Sequence, residues 1–228
     1  MTTLQQELYE LGVAAAAAQS DGQTDPFLSK YSALGKITSH PSIYLSSSRG
    51  DITPSSGGPG NGAAVLLPAD YKENDPSLSA KTEIVLRVAA MEKNRGHRVI
   101  LASSSTSVLD LVGGNLEKMG FLCLKLTGET PMSDRGSIVR QLNDPSSKVD
   151  VLLLSTKAGG TGLNLTGANV LIIHEPSFNP SVDEQAIARI YRPGQRYHVF
   201  IYRLVSGDTG AIEIQVMILQ VSHSTARF

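Results

Sequence analysis

An α/β fold with a parallel sheet and helices on both faces is the class that this sequence predicts, on three observations. From Ser79 onward, short apolar runs alternate with stretches of helical periodicity. The apolar runs are nearly continuous, as in strands that are buried on both faces. Small or polar residues follow most of the runs, as in turns at strand ends. Repeated β–α units of this kind require parallel strands joined by crossover helices.

The elements of this sheet domain follow from the periodicity. Five strands are expected, at Val99–Ala102, Phe121–Leu126, Val149–Leu154, Val170–Ile173 and Val199–Leu204. Helices are expected at Lys81–Asn94, Thr106–Met119 and Ser133–Leu142, then from Pro180 onward, and finally up to about Gln220. Gly96 and Gly120 end the first two helices, because glycine readily takes the left-handed conformation found after a helix.

The chain before this domain divides into two parts. Residues 1–45 predict a helical segment, in which Thr2 or Thr3 caps a first helix that extends toward Ala18. A second short helix is expected from about Leu28 to Ser39, ending before Pro41. Residues 46–78 are rich in Ser, Gly and Pro and predict a flexible linker, and residues 79–222 form the sheet domain.

Composition limits the kind of protein. The formal net charge is −1, so a nucleic-acid site must be a local basic patch. The single cysteine, Cys123, lies in an apolar run, which indicates a buried core thiol and excludes an intrachain disulfide framework. No apolar stretch reaches the length of a membrane span, and no secretory signal is evident at the N-terminus. We therefore expect a soluble, intracellular protein.

Two stretches in the second half of the chain carry the chemistry. Ser155–Asn164 is rich in glycine and follows the apolar run Val151–Leu154, so its backbone can approach a ligand closely. The second stretch, Asp183–Gln195, predicts a helix that Asn179 caps and Pro180 begins.

The spacing within this helix predicts two faces. Gln185, Arg189 and Arg192 are spaced i, i+4 and i+7 and are expected to share one polar face. The apolar side chains lie on a neighbouring face that can pack on the sheet; they are Val182, Ala186, Ile187 and Ile190. Two arginines beside a glycine loop suit a phosphate chain. The alternative is a surface pair that forms ion pairs with Asp183 or Glu184.

Polar residues gather where the predicted strands end. These ends carry Ser103–Ser105, Thr127–Gly128, Ser155–Lys157 and His174–Glu175. Ligands in open parallel sheets bind at the carboxyl ends of the strands. The sequence therefore predicts a ligand site at this edge, although His174–Glu175 is interpreted as structural.

The two chemical stretches resemble motifs of a known family. The pattern Gln-Ala-x-x-Arg-x-x-Arg-x-Gly-Gln begins at Gln185, and Ser-Thr-Lys-Ala-Gly-Gly-x-Gly-x-Asn-Leu begins at Ser155. They resemble motifs VI and V of SWI/SNF-type DNA translocases in helicase superfamily two. Leu165–Asn169 and Asn179–Asp183 are most similar to the recombination-repair and transcription-repair translocases. The resemblance covers about Ser79 to Gln220 and, more weakly, Leu4 to Pro41.

The resemblance implies a RecA-like three-layer lobe, the second of two, preceded by a helical interlobe segment at residues 1–45. It implies that Arg189 and Arg192 act as arginine fingers on ATP, with Gln185 as a supporting contact. It also places Gly160, Gly162 and Asn164 beside the nucleotide; the alternative for this segment is an ordinary turn between strand and helix.

The resemblance further implies contacts of Ser103, Ser104, Thr156 and Lys157 with the backbone of double-stranded DNA; the alternative is solvated loop polarity. Three departures from the family pattern weaken these contacts: Ser104–Ser105, Thr127 and Phe178 replace residues common in the family. Arg135 matches an arginine commonly found after the Gly128 turn, and its interpretation stays open between function and a helix-surface position.

Two parts of the family's ATPase site are not found in this sequence. It contains no Gly-x-x-x-x-Gly-Lys-Ser/Thr pattern and no Asp-Glu-x-His box, which hold the phosphates and Mg²⁺ in the first lobe. Asp183–Glu184 does not follow a strand directly, so it is not interpreted as a metal box, and no metal ligands are assigned. We expect ATP with Mg²⁺ to be shared with a first lobe that this chain lacks, so that the chain alone is inactive.

The sequence leaves three hypotheses of function. The first is the C-terminal lobe of an ATP-dependent DNA translocase or chromatin remodeller, with double-stranded DNA and an N-terminal ATPase lobe, in cis or in trans, as partners and no membrane. The second is a stand-alone lobe that binds DNA or a partner without catalysis. The third is an unrelated α/β enzyme of flavodoxin-like or nucleotide-sugar type. A fragment or truncated product is expected, and a nuclear location follows from the resemblance alone.

Overall fold

A computed structural model describes residues 1–18, 26–48, 71–158, 162–207 and 212–217 of the chain. Residues 19–25, between the two predicted N-terminal helices, and most of the expected linker lie outside these ranges. The chain forms two compact units. The first contains residues 1–83 and 206–212, and the second contains residues 84–205 together with 213–228.

Three helices make up most of the first unit: α1 (Thr3–Ala18), α2 (Pro26–Ser39) and α3 (Pro41–Ser48). Thr2 caps α1, as predicted. Its Oγ1 accepts from the Gln5 amide at 3.3 Å, and Gln5 Oε1 accepts from the Thr2 amide at 3.0 Å. This reciprocal pair is a capping box.

Helix α3 was not predicted. Pro41 was interpreted as the end of helical structure, but it occupies the first position of α3, where proline is well tolerated because its missing N–H has no helical partner. The predicted linker therefore begins with helical residues, Ser46–Ser48, and Pro76–Leu78 near its end forms a 3₁₀ turn.

The core of the first unit forms where α1 and α2 meet. Leu8, Leu34 and Ile37 are each at most 1% exposed. Gln5 is also buried, and its Nε2 donates to the carbonyls of Ile37 and Thr38 at 2.9 and 3.0 Å. A buried amide that is satisfied in this way fixes the register of α1 against α2.

The second unit is built around a parallel sheet. Its strands are β1 (Val99–Ser103), β2 (Cys123–Leu126), β3 (Val151–Ser155), β4 (Val170–Ile173) and β5 (Phe200–Arg203). Its helices are α4 (Ala80–Asn94, which begins in the first unit), α5 (Thr106–Lys118), α6 (Met132–Asn143), α7 (Pro180–Ile190) and α8 (residues 212–217, which begins at the boundary). The strand order is β2-β3-β1-β4-β5, and all four pairings are parallel. The predicted α/β class with a RecA-like parallel sheet is confirmed.

Both faces of the central strands are covered, which explains why they are apolar throughout. On one face, alternate residues such as Ile100, Leu152 and Leu171 pack in a core with side chains of α6 and α7. On the other face, Leu153 packs beside Gly113 of α5, where an added Cβ would lie 2.5 Å from a Leu153 methyl carbon. The glycine thus allows α5 to approach the sheet closely.

Cys123 is only half-buried, at the start of β2, and not fully buried as predicted. Desolvation, with the nearby carboxylates of Glu117 and Asp150, raises the pKa of its thiol to about 11. The thiol therefore stays protonated near neutral pH. Among the described residues, we find no helix whose length and apolarity would let it span a membrane.

Candidate active site

The strand order brings the predicted polar ends together. Ser103 at the end of β1 pairs in register with Ser155 at the end of β3. Strands β2 and β4 flank this pair, so the ends of four strands form one continuous edge. This is the edge at which the sequence predicts a ligand site.

Glu175, just after β4, organises the serine turn after β1. Its Oε1 accepts from the Ser104 amide at 2.6 Å and from the Ser104 hydroxyl at 2.9 Å. The same oxygen accepts from the Ser103 hydroxyl at 2.9 Å, and Oε2 accepts from His174 Nδ1 at 2.9 Å. Burial alone would raise the pKa of Glu175, but these bonds and the charge of His174 together hold it below its ordinary value of 4.5.

This arrangement changes the prediction for the two serines. Ser103 is 1% exposed and its hydroxyl is engaged with Glu175, so its side chain does not face a surface in this conformation. Ser104 is half-buried and is also held by Glu175. Sequence reasoning missed this bridging role of Glu175, although a carboxylate directly after a buried strand, beside a strand that ends in serines, was a usable signal.

Helix α7 begins as predicted. Asn179 Oδ1 accepts from the Ser181 amide at 3.0 Å, and Pro180 occupies the first turn. Ala186 and Ile190 are buried, whereas Gln185 is exposed. The apolar face therefore packs as expected.

The predicted common face of Gln185, Arg189 and Arg192 is wrong. Arg189 is only 6% exposed and lies on the buried side of α7. Arg192 lies beyond the helix, which ends at Ile190. The reason is Pro193, which disfavours the helical conformation in the residue before it. Burial also lowers the pKa of Arg189 from its ordinary value.

The turn after α7 returns Arg192 to the glycine-rich segment. Arg192 Nη1 donates to the carbonyls of Gly162 and Leu163, each at 3.3 Å. The Leu165 amide donates to the carbonyl of Arg189 at 3.0 Å. Two connections thus fasten this segment to the end of α7, and they bring together Arg192 and Gly162, two of the predicted nucleotide-binding residues.

The other residues of the glycine-rich segment are placed differently. Gly160 lies outside the described residues. Asn164 is exposed, and its carbonyl accepts from Asn143 Nδ2 at 2.8 Å. The same amide group of Asn143 accepts from Gly167 N at 2.8 Å. Asn143, at the end of α6, was not singled out by sequence analysis, and its position gave no specific signal.

The turn after β3 carries two of the predicted DNA contacts. Thr156 and Lys157 lie in a 3₁₀ turn that ends at the buried Ala158. Thr156 is half-buried and Lys157 is exposed. The lysine is therefore accessible to an anion at the edge of the sheet.

Arg135 joins this turn to the turn after β2. Its guanidinium donates to the Thr130 carbonyl through Nε at 3.0 Å and to the Gly128 carbonyl through Nη2 at 3.2 Å. Its Nη1 donates to the carbonyl of Ala158 at 3.3 Å. Arg135 is thus a half-buried anchor and not a simple surface arginine, and it holds Ala158, a residue of the glycine-rich segment.

Gln195, the last residue of the stretch Asp183–Gln195, has a structural role. Its Nε2 donates to the carbonyls of Ala168 and Ile190 at 2.8 and 3.3 Å. Its Oε1 accepts from the amides of Arg196 and Tyr197. The glutamine therefore shapes the turn that carries Arg192.

Asp183, an acidic residue of α7, is engaged with other protein groups in the described part of the chain. Asp183 is buried, and its carboxylate accepts from the Ser177 amide at 3.3 Å and lies 3.9 Å from Arg203 Nη2. Across the ranges that the structure describes, no three His, Cys, Asp or Glu side chains come together where they could hold a metal ion.

The chain matches a known family of protein domains. The family model for the helicase conserved C-terminal domain matches residues 80–194, just over half of the chain. The chain belongs to this helicase C-terminal domain family. The match includes the sheet as far as β4, the glycine-rich segment and α7.

Relatives of this helicase C-terminal domain include repair and remodelling proteins. It is 37% identical over 224 residues to a zebrafish (Danio rerio) protein, "DNA repair and recombination protein RAD54-like", and the match covers 95% of this chain and 29% of the relative. It is 35% identical over 243 residues to the Arabidopsis thaliana "Protein CHROMATIN REMODELING 25", covering 97% of this chain and 26% of the relative. The chain thus spans less than a third of the length of these relatives.

A solved structure has the same fold as this helicase C-terminal domain. The crystal structure of the C-terminal part of the Fun30 ATPase domain aligns with a TM-score of 0.70, over 96% of this chain and 85% of that one, at 23% identity. The predicted resemblance to SWI/SNF-type proteins is confirmed by these matches. The roles of individual site residues stay predictions.

Proposed function

We propose that this chain is the second ATPase lobe of an ATP-dependent double-stranded DNA translocase, in which it supplies an arginine finger and contacts to the DNA backbone. The observation that carries the proposal is that Arg192 donates hydrogen bonds to the backbone carbonyls of Gly162 and Leu163, in the segment that follows β3. Family membership and the names of the repair and remodelling relatives support it. The same names support a nuclear location.

Arg192 is the proposed finger. It is exposed, and only its Nη1 donates to protein groups in the described part of the chain, so Nε and Nη2 stay available for phosphate oxygens. A guanidinium at this position would neutralise the charge that develops on the transferred γ-phosphoryl group. Its two carbonyl contacts pre-orient it at little entropic cost on substrate binding.

Arg189 is also proposed to contact ATP, but its side chain is less accessible than the resemblance alone implies. It is buried, and its backbone carbonyl holds Leu165, the residue that follows Asn164. A change at Arg189 would therefore disturb both packing and the nucleotide site. Gln185 is exposed on α7 and remains a candidate polar contact.

The donors at this edge fit ATP as a shared substrate. Arg192 offers positive charge, and the backbone at Gly162 and Asn164 offers close approach for phosphates. Gly160 lies outside the described residues and is included in this proposal from the sequence motif alone. The acidic groups of the described residues form no metal cluster, so we propose that Mg²⁺, which would neutralise phosphate charge, takes its protein ligands from the first lobe.

DNA is proposed to lie against the turns that follow β1 and β3. Lys157 is exposed and Thr156 and Ser104 are half-buried, a set that suits phosphates and reads no sequence. Ser103 is not part of this surface, since its buried hydroxyl bonds Glu175.

The first experiment measures phosphate release at saturating ATP, with and without duplex DNA. It compares this chain alone with a fusion in which the first ATPase lobe of the zebrafish RAD54-like relative precedes it. We expect no turnover above background for the chain alone and DNA-stimulated turnover for the fusion, because the phosphate-binding pattern is contributed by the first lobe. DNA-stimulated turnover by the chain alone would contradict the shared site.

A second experiment addresses DNA. Two duplexes of unrelated sequence are titrated with the chain at several salt concentrations, and Lys157→Gln is compared with Lys118→Gln, an exposed lysine at the end of α5. We expect weak, sequence-independent binding that falls with salt, and a further loss only in Lys157→Gln. Tight binding that needs no first lobe and no nucleotide would favour a stand-alone binding module.

A further inference from the structure

A pocket lies at the opposite edge of the sheet, where the strands begin. Its volume is about 580 Å³, a size typical of small-molecule sites. The residues that precede β1 and those that precede β5 form much of its wall, including Arg95, His97, Arg98, Arg196 and Tyr197. The proposed nucleotide and DNA surfaces lie at the carboxyl ends of the strands, so they do not use this pocket.

Positive charge dominates the wall. The described residues that line it include three arginines, Arg95, Arg98 and Arg196, and no acidic residue. Glu92 is fully buried, and its carboxylate lies 3.0 Å from Arg95 Nη1 and 2.7 Å from His97 Nδ1. Asp144 lies near Arg98, but its Oδ1 is turned to the amide and hydroxyl of Ser146. One positive charge therefore remains in excess over these carboxylates.

Part of the wall is held rigidly. Arg98 donates to four backbone carbonyls, those of Leu142, Asp144, Pro145 and Ser147. These oxygens orient the guanidinium but carry no net charge, so its positive charge is not cancelled. A site that is organised before binding loses little conformational entropy when a ligand enters.

The rim carries the donors that a ligand can use. The side chain of Arg196 is exposed and makes no hydrogen bond or ion pair within the described residues. Tyr197 follows it and is 69% exposed. The ring of His97, another wall residue, stacks on Phe200 with 5.5 Å between ring centroids. A cationic group beside an exposed aromatic ring suits a phosphate attached to a planar group.

We propose that this pocket binds a small phosphorylated molecule, with Arg196 on the phosphate and the Tyr197 ring against the rest of the ligand. Arg98 supplies a fixed positive field, and Arg95 supplies the guanidinium donors that Glu92 does not take. The chemistry is shared by an inorganic polyphosphate and by a nucleoside phosphate, and the test separates these two sources.

The test is calorimetric titration of the full chain with two probes, inorganic pyrophosphate and AMP. We expect saturable binding with one site per chain, weakened roughly tenfold or more by Arg196→Gln, because a charge-assisted hydrogen bond is lost. Arg140→Gln, an exposed arginine on α6, and Arg192→Gln, at the proposed ATP site, should leave the affinity within about twofold. Melting curves check that each variant is folded.

The AMP arm identifies the source of the phosphate. If AMP binds more tightly than pyrophosphate and Tyr197→Ala removes that advantage, the pocket takes a nucleoside phosphate. If AMP gains nothing over pyrophosphate, it takes a simple polyphosphate. Absence of saturable binding, or binding that is lost in Arg192→Gln but kept in Arg196→Gln, would overturn the proposal. Loss of duplex DNA binding in Arg196→Gln, without any pyrophosphate binding, would overturn it in favour of a DNA backbone contact.

Discussion

Arg192 Nη1 lies 3.3 Å from the carbonyl oxygen of Gly162, across 30 residues of sequence. The contact joins the turn after α7 to the glycine-rich segment after β3. Because Arg192 is outside the helix, its orientation depends on this contact and on the turn that Gln195 shapes. The two sequence motifs are therefore in direct contact in the fold. Variants at this contact can separate effects on catalysis from effects on folding.

The first prediction concerns stability at the end of α7. Ile190→Ala should lower the free energy of unfolding by about 2–5 kcal/mol, because Ile190 is fully buried. Arg189→Ala should lower it by about 1–3 kcal/mol, since its buried stem loses packing. Arg192→Ala should cost within about 0.5 kcal/mol, as for an exposed residue. Urea unfolding curves of the three variants give the free energy of unfolding that each one loses. Equal losses for Arg189→Ala and Arg192→Ala would contradict the difference in burial between these two arginines.

The second prediction concerns Gly167, just before β4. A Cβ there would lie 2.2 Å from the Leu142 carbonyl oxygen and 2.4 Å from the Asn143 Cα, so Gly167→Ala forces backbone apart. We expect a loss of about 3 kcal/mol or more in the free energy of unfolding. The control is Gly114→Ala in α5, where nothing lies within 4 Å of the added Cβ.

In that control we expect a gain of about 0.5–1 kcal/mol, because alanine favours the helix over glycine. Thermal and urea unfolding of the two variants make the comparison. A Gly167→Ala variant as stable as the unaltered chain would show that α6 and the loop before β4 are not in close contact.

The third prediction concerns Glu175 and pH. Its folded pKa lies below its ordinary value of 4.5, so the ionised carboxylate stabilises the fold. That contribution is present in full above about pH 5 and is lost as pH falls below 4.5 through the folded pKa. Glu175→Gln, which cannot ionise, should be less stable than the unaltered chain by about 1–3 kcal/mol at neutral pH.

The measurement is urea unfolding of both proteins between pH 3 and pH 7. The difference in unfolding free energy should shrink toward zero on the acid side, because the carboxyl group of the unaltered chain is then protonated. A difference that stays constant over this range would contradict the ionised bridge to Ser103, Ser104 and His174.

Sequence periodicity predicted the sheet well because its central strands, β1, β3 and β4, are buried on both faces. An apolar run such as Val151–Leu154 is not typical of a loop. The glycines after α4 and α5 take the positive φ that ends a helix, 77° at Gly96 and 80° at Gly120. The convergence of strand ends followed from topology alone. These features depend on local pattern and on general rules for parallel sheets.

The details of the site depended on tertiary contacts that no local pattern contains. Residues spaced i, i+4 and i+7 share one face only if the helix continues through all of them. Helix α7 ends at Ile190, and Pro193 disfavours the helical conformation at Arg192, so Arg192 is not on the helix. Asp183 and Arg189 of α7 are both buried although both are charged, which the count of apolar residues did not indicate. The engagement of Ser103 by Glu175 links residues 72 apart, and only the pairing of β1 with β4 brings them together.

The most direct test of the proposed function is ATP turnover by the fusion with a first lobe, with Arg192→Ala against Arg140→Ala as the matched control. Arg189 is not suited to this test, because its burial mixes folding with chemistry. A finger acts mainly on charge that develops in the transition state, whereas the first lobe holds the ground-state phosphates.

The measurement is DNA-stimulated phosphate release at saturating ATP, together with the Kd of a fluorescent ATP analogue and a melting curve for each fusion. We expect Arg192→Ala to lower turnover by about 10³-fold or more, to leave the Kd within a few fold and to keep the melting temperature of the unaltered fusion. We expect Arg140→Ala to change none of the three. Full turnover in a folded Arg192→Ala fusion would contradict the assignment of Arg192 as the finger.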